Sequence, residues 1–498
     1  MKKLVSILCA AALALSLAAC GAESHSGGGD AKAAVYSLES ATTFTFSDSG
    51  ITAQDGSYTG YEIDGTTLTI DGAGAYVVTG TCADGSIQIK KGTTGVTLAL
   101  NGLALTSADT APILCGKSTE VVIVAADGST NSLTDTAENN DDSYPDNTEA
   151  ENAVIKCKDG AQVTLCGGGA LTINANGKNG IKSGASTTEE GEASLTIRKL
   201  TLTINAPVND AINAQQLLNV ESGTLTISAA DDAIHSDLVL NIGGDGTDGP
   251  TIAITECYEG IEAAELNVLS GNIDILSSDD CLNAANSDLS GYAFSMNISG
   301  GVITACSSSG DGFDSNGDLT ISGGTVAVWT ANAADNQPLD ADGAITVSGG
   351  TVLAAGGSAG MGMNLTAEQP CVTFGSTGGM GGGRPGDMDG GSASIAKDAA
   401  VTITGSDGSA VYSGTALCNA SFVFFSSPEL TADGSYTLTA TAQTGSISSG
   451  GMGGMGGPGN GGQRPGDRDG GQQAPDFSGG GQPPERPSSQ QSGTAQNS

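Results

Sequence analysis

From Leu200 to Gly383 the chain contains no lysine and no arginine, although 22 aspartates and glutamates fall in that stretch. The whole chain leans the same way, with a formal net charge of −38. A surface of this kind repels nucleic acid and anionic lipid headgroups and attracts cations. Histidine is nearly absent: His25 and His235 are the only two, so no catalytic triad can be assembled. Aromatic residues make up 4% of the chain, with Trp329 the only tryptophan. None of the 11 cysteines lies in a CxxC or Cys/His metal spacing, which speaks against zinc. No run after residue 19 is apolar over the ~18 residues a membrane span requires. A helical period is also missing.

What is present is a repeated phrase: an acid or amide, a small residue, a large apolar residue, a polar residue and a small residue. It reads Asn179-Gly180-Ile181-Lys182-Ser183, then Asp210-Ala211-Ile212-Asn213-Ala214, then Asp232-Ala233-Ile234-His235-Ser236. It continues as Glu259-Gly260-Ile261-Glu262-Ala263, Asp280-Cys281-Leu282-Asn283-Ala284 and Asp311-Gly312-Phe313-Asp314-Ser315. Looser copies begin at Ala153 and Gln337, and successive copies start 26, 31, 22, 27, 21, 31 and 26 residues apart. Between them recurs Gly-x-apolar-x-apolar, as in Gly223-Thr224-Leu225-Thr226-Ile227, whose period of two marks a strand with one buried face. Repeats of this length with only strands predict an all-β solenoid, a right-handed parallel β-helix with one repeat per coil. About ten coils stacked ~4.8 Å apart would make a rod roughly 50 Å long.

The termini predict the address. Lys2 and Lys3, an apolar run and Leu17-Ala18-Ala19-Cys20 read as a lipoprotein signal peptide over 1–19, with Cys20 lipidated. The expected organisation is a tether (20–35), an N-terminal cap with first coils (36–151) and regular coils (152–377). A Gly/Met-rich loop (378–393), a C-terminal β cap (394–445) and a disordered low-complexity tail (446–498) follow. The expected mature protein is an extracellular monomer, lipid-anchored to the membrane. Within the coils Cys157 and Cys281 stand where other repeats carry Ala, Gly or Ser, which suits small buried side chains at tight bends.

The third residue of the phrase is expected to point inward, and the first and fourth to flank the bend on the outside. Stacked in register, first positions run Asn179, Asp210, Asp232, Glu259, Asp280, Asp311; fourth positions run Lys182, Asn213, His235, Glu262, Asn283, Asp314, Asp340. Two carboxylates ~5 Å apart repel by roughly 1 kcal/mol in water and about 3 kcal/mol at an effective dielectric of 20. Lys156 and Lys182 offer compensation at the start of this ladder, but no base other than His235 follows Asp210. Calcium, which takes six to eight oxygens in flexible geometry, would supply it. The candidate ligands are Asp210, Asn213, Asp231, Asp232, His235, Glu259, Glu262, Asp279, Asp280, Asn283, Asp311 and Asp314. Turn chemistry alone is the other explanation for Asp and Asn at bends. His235 is expected as a solvated or ladder-stacked imidazole. Trp329, outward by alternation, is a weak sugar-stacking candidate or is packed under a loop.

The signal peptide, the opening strands through Asn101-Gly102 and the serial D-[AG]-[IF]-x-[AS] phrases resemble the calcium-binding β-helical carbohydrate-binding domain of clostridial surface proteins. The likeness spans roughly residues 40–360. It implies a pectate-lyase-like fold and binding of plant polysaccharides such as cellulose and pectin. In lyases of that shape an Asp-Asp-x-x-Asp set holds calcium; here Asp231-Asp232-x-x-His235 and Asp279-Asp280-x-x-Asn283 lack the last acid. Uronate elimination also needs a Lys or Arg base, and the acidic stretch has none. The expectation is therefore a non-catalytic polysaccharide binder, with a polysaccharide lyase or a structural surface rod as alternatives.

Overall fold

The computed structural model describes residues 38–448, apart from 55, 245, 332–335, 358–364, 376–394 and 441–442. Cys20, the signal peptide, the tether, the whole Gly/Met-rich loop and the tail beyond Ser448 lie outside the described residues. The described chain is all-β, and its one helical segment is the 3-10 turn Leu38–Ser40. No helix among the described residues is long and apolar enough to cross a membrane.

One sheet of 34 strands dominates, and almost all of its pairings are parallel. They sort into three columns, because the chain lays down one short strand in each before returning to the first. The phrase column runs Ala153–Cys157, Asn179–Ser183, Ile212–Ala214, Ile234–Ile242, Ile261–Val268, Leu282–Ala284, Phe313–Ser315. It reaches back through Ile113–Cys115 and Ser86–Ile89 to Thr67–Ile70. A second column includes Gln162–Cys166, Ser194–Arg198 and Leu217–Val220 and continues through Ser295–Ile298 and Asp318–Ile321. The third runs Thr130–Asp135, Ala170–Asn174, Leu200–Ala206, Gly223–Ala229, Pro250–Glu256, Asn272–Ser277, Val302–Ser307, Thr325–Thr330 and Thr351–Gly356.

Alternation makes these columns. The inward residues of the third form an unbroken row, with Leu202, Leu225, Ile252, Ile273 and Ile303 in register and essentially inaccessible. The third residues of the phrase behave as expected: Ile181, Ile212, Ile234, Ile261, Leu282 and Phe313 are all wholly buried. Each such side chain contributes about 1.5–3 kcal/mol relative to exposure. Corners need backbone that L side chains rarely adopt. Gly324 and Gly350, with φ of +82° and +77°, open two of the third-column strands, which explains the glycine in Gly-x-apolar-x-apolar. Cys157 and Cys281 are buried and free, so they fill small slots as expected.

Both ends of the parallel stack are covered. At the start, Thr42–Ser47 pairs antiparallel with Gly50–Gln54, and the rings of Phe44 and Tyr61 meet edge to face at 4.8 Å. At the far end, Phe422–Ser426 lies antiparallel between Thr351–Gly356 and Cys371–Gly375. A separate antiparallel sheet of Ala400–Gly405, Ala410–Thr415, Ser435–Ala440 and Gln443–Ser448 packs beside it. Between them sits a second core in which Trp329, 1% exposed, packs with Leu353, Phe374 and Phe425. The sugar-stacking candidate is thus corrected: Trp329 points away from the first core as alternation requires, but the C-terminal strands cover it and its ring is not offered to a ligand.

Candidate metal centre

The fourth positions of the phrase stack as their register dictates. Lys156 pairs with Lys182, Lys182 with Asn213, Asn213 with His235, His235 with Glu262, Glu262 with Asn283 and Asn283 with Asp314. A bridge from Phe313 to Leu339 carries the column on toward Asp340. The first positions differ from expectation. Asn179, Asp210, Asp232 and Glu259 are buried rather than on the outside, and so are Glu262 and Asn283 among the fourth positions. The cause is backbone stacking at the bends: the carbonyls of Asp210, Asp232, Glu259 and Asp280 accept amides of the coil before. The side chains then lie along the stack. Asp210 Oδ1 accepts the amide of Asp232 at 3.2 Å, and Asp280 Oδ1 accepts that of Asp311 at 2.6 Å.

Among the described residues, three groups bring the ligand atoms of three His, Asp or Glu side chains within 4.8 Å of one another: Asp210 with Asp231 and Asp232, Asp232 with His235 and Glu262, and Asp311 with Asp314 and Asp340. Asp340 was in the sequence column but outside the candidate ligands; its looser phrase hid it. Of the remaining acidic candidates, Glu259, Asp279 and Asp280 are not gathered in this way. Asn213 donates to Asp210 Oδ2 at 2.6 Å, and Asn283 donates to Glu259 Oε2 at 3.0 Å. Asp279 and Asp280 sit beside Gly310, where a Cβ would collide with Oδ1 of both. Glycine there lets the two carboxylates fold over the bend.

His235 is stacked in the ladder between Asn213 and Glu262, one of the two places expected for it, and brings positive charge into the ladder itself. Its Nδ1 lies 3.0 Å from both Asp232 Oδ2 and Glu262 Oε2, and its Nε2 lies 2.9 Å from Asp237 Oδ1. Burial works against the imidazolium, but the three carboxylates outweigh it and hold the His235 pKa well above its ordinary value. Asp237 had no signal in the phrase, because it follows the repeat and reaches back along the strand.

Elsewhere the ladder resists its own charge. Burial, reinforced by Asp279, pushes Asp280 up to about 8. Burial and neighbouring acids raise Asp311 to about 7 and Asp314 to about 6. At the other end burial and Lys182 lower Lys156 to about 8. Two buried oxygens in the column, Asp232 Oδ1 and Asn283 Oδ1, accept no hydrogen bond, which is costly in a folded interior. Oxygen-rich clusters with spare acceptors are the donor set a hard divalent cation takes. A hollow of about 250 Å3 lies apart from the ladder, lined by Thr94, Ser118, Glu120, Gln162 and Glu190 among others, with no aromatic ring.

Comparison with known proteins adds a family. A family model described as carbohydrate-binding domain-containing protein matches residues 64–360. A protein of the same description from Acetivibrio thermocellus is 38% identical over 109 residues. That match covers 22% of this chain and 37% of that protein, well under two thirds of its length. The solved structure of a polysaccharide lyase-like protein from C. thermocellum, a gadolinium derivative, is similar over 63% of this chain and 93% of its own, at 20% identity and a TM-score of 0.32.

Proposed function

The chain belongs to the carbohydrate-binding domain-containing family, whose model covers residues 64–360, and on that premise we propose a non-catalytic polysaccharide binder stabilised by calcium. Its three columns are read as the walls of a right-handed parallel β-helix, carried at the cell surface by lipid on Cys20. The observation that carries the calcium reading is the stack of buried and half-buried acids. Asp311, Asp314 and Asp340 would hold one ion, and Asp210, Asp231 and Asp232 another. Further oxygens would come from second carboxylate atoms and water. Bound there, calcium supplies the charge that the sequence omits and a bridge to a carboxylated sugar. A chain this acidic has few other ways to approach a polyanion.

Pull-down on polygalacturonate and on cellulose, each with calcium and with chelator, tests this reading. Calcium-dependent retention on polygalacturonate is expected, with little salt dependence on cellulose. Failure to retain any polysaccharide in calcium would leave a structural rod. A second reading, a lyase, is favoured by one observation: Lys156, at about 8, lies at the end of the ladder with a pKa suited to a general base. Release of unsaturated uronates, lost in Lys156→Met, would establish it.

A further inference from the structure

We propose that the uncharged wall of the third column, from Thr130–Asp135 to Pro250–Glu256, is the docking face for a neutral, extended, β-linked glycan. This rests on the family's carbohydrate binding but assigns the face, which the acid ladder does not. The outward residues of these strands form rows. Ser132, Thr172, Thr203 and Thr226 stand in register along the middle. Thr201, Thr224 and Thr251 form a second row, and Thr134, Asn174 and Asn205 a third. Thr201, Thr224, Thr226 and Thr251 are exposed. No outward side chain on these strands is charged until Glu256, at the end of the last. Asp135, the one acid in the first strand, points inward and is 1% exposed.

That neutrality stands out in a chain of net charge −38. It selects the occupant by charge. An anionic polymer finds neither a cation nor a paired-acid metal seat on this wall, and a cationic one finds only Glu256 at its edge. A neutral sugar chain needs only hydroxyl and amide partners on a flat support. Strands ~4.8 Å apart, with outward residues about 7 Å apart along each, make a regular grid of such partners. A β-linked glycan is an extended ribbon with hydroxyls along its edges and C–H groups on its faces. Threonine answers both features, with a hydroxyl for the edge and a methyl for the face. Its χ1 is restricted by β-branching, so little freedom is lost on contact.

The amide row is already ordered. Asn205 Nδ2 donates to Asn174 Oδ1 at 3.0 Å, and Asn174 Nδ2 donates to Thr134 Oγ1 at 3.2 Å. Groups fixed before binding cost less to use. Beyond Glu256 the column turns mixed: Asp274 is exposed, as are Leu276 at 52% and Val302 at 46%. The two aliphatic side chains lie outside the strip, and Asp274 marks where its neutrality stops.

The test uses the full-length mature protein and two single variants, Thr226→Glu and Thr203→Lys, whose side chains enter the strip with opposite charge. Affinity electrophoresis in soluble neutral β-glucan and pull-down on polygalacturonate with calcium are run side by side, with circular dichroism as the folding control. Both variants are expected to bind β-glucan at least fivefold more weakly and to keep calcium-dependent retention on polygalacturonate. Folded variants that bind β-glucan as the unaltered protein does would overturn the assignment. Should one variant misfold, the other decides. An unaltered protein that holds polygalacturonate but not β-glucan defeats this inference alone; one that holds neither defeats the carbohydrate reading beneath it.

Discussion

Lys156 and Lys182 at one end of the ladder of fourth positions, and Asp314 and Asp340 toward the other, occupy equivalent positions in one stack. Backbone pairing therefore fixes where these side chains stand without regard to their charge. Each end crowds like charges in a partly buried place, and each is pushed toward neutrality: Lys156 down to about 8, Asp311 up to about 7. The difference is reach. A lysine has a four-carbon stem that lies along the wall while its ammonium seeks water. An aspartate has one methylene and cannot escape the column. The lysine end can relieve itself, whereas the acid end is relieved by protons or, on the proposed function, by a cation brought from outside. His235 is the internal exception, one imidazole set among Asp232, Glu262 and Asp237.

The largest effect should come from removing that exception. His235→Ala leaves buried Asp232 and Glu262 facing each other, and breaking a buried charge cluster by deleting one partner costs about 3 kcal/mol or more. Chemical denaturation without metal reads this loss, and added calcium is expected to restore part of it. A variant as stable as the parent in chelator would erase the contrast between the two ends.

A swap sharpens the comparison. Asp314→Lys gives the acid end the long stem and the charge of the lysine end. Relief of carboxylate repulsion at an effective dielectric near 20 is worth roughly 1–3 kcal/mol. The metal-free variant should melt higher than the metal-free parent and respond less to calcium. Equal calcium responses in melting temperature would place the metal elsewhere.

The smallest effect is the response to pH. Asp280, Asp311 and Asp314 have folded-state pKa values of about 8, 7 and 6, above their ordinary range, mainly through burial. The folded metal-free protein therefore holds more protons than the unfolded chain, and these groups contribute stability that is complete below about pH 4 and lost as pH rises through 6 to 8. Melting temperature in chelator should fall across that window. Calcium, replacing the protons, should flatten the curve. A rise with pH in chelator would contradict the assigned shifts.

Much of this was legible in the chain, because one physical rule repeats. The third residue of every phrase is apolar and buried, so the strands, their inward row and the stacking of fourth positions followed from spacing alone. The burial of Asp210, Asp232 and Glu259 did not, since it depends on which backbone amides the bends exchange between coils. His235 could be placed beside Glu262 by counting, but Asp237 lies outside the phrase and gave no warning. Trp329 was outward by alternation, yet its fate rests on Phe374 and Phe425, far along the chain. Asp340 was in the column but in a copy too loose to weigh.

The central claim is that the acid end binds calcium. Equilibrium dialysis of chelator-stripped protein against calcium, with bound metal measured by elemental analysis, tests it in the parent and in Asp311→Ala with Asp314→Ala. The account predicts retained calcium in the parent and at least one ion fewer in a double variant that keeps its all-β circular dichroism spectrum. A parent that retains no calcium, or a folded double variant that retains the same amount, would contradict it.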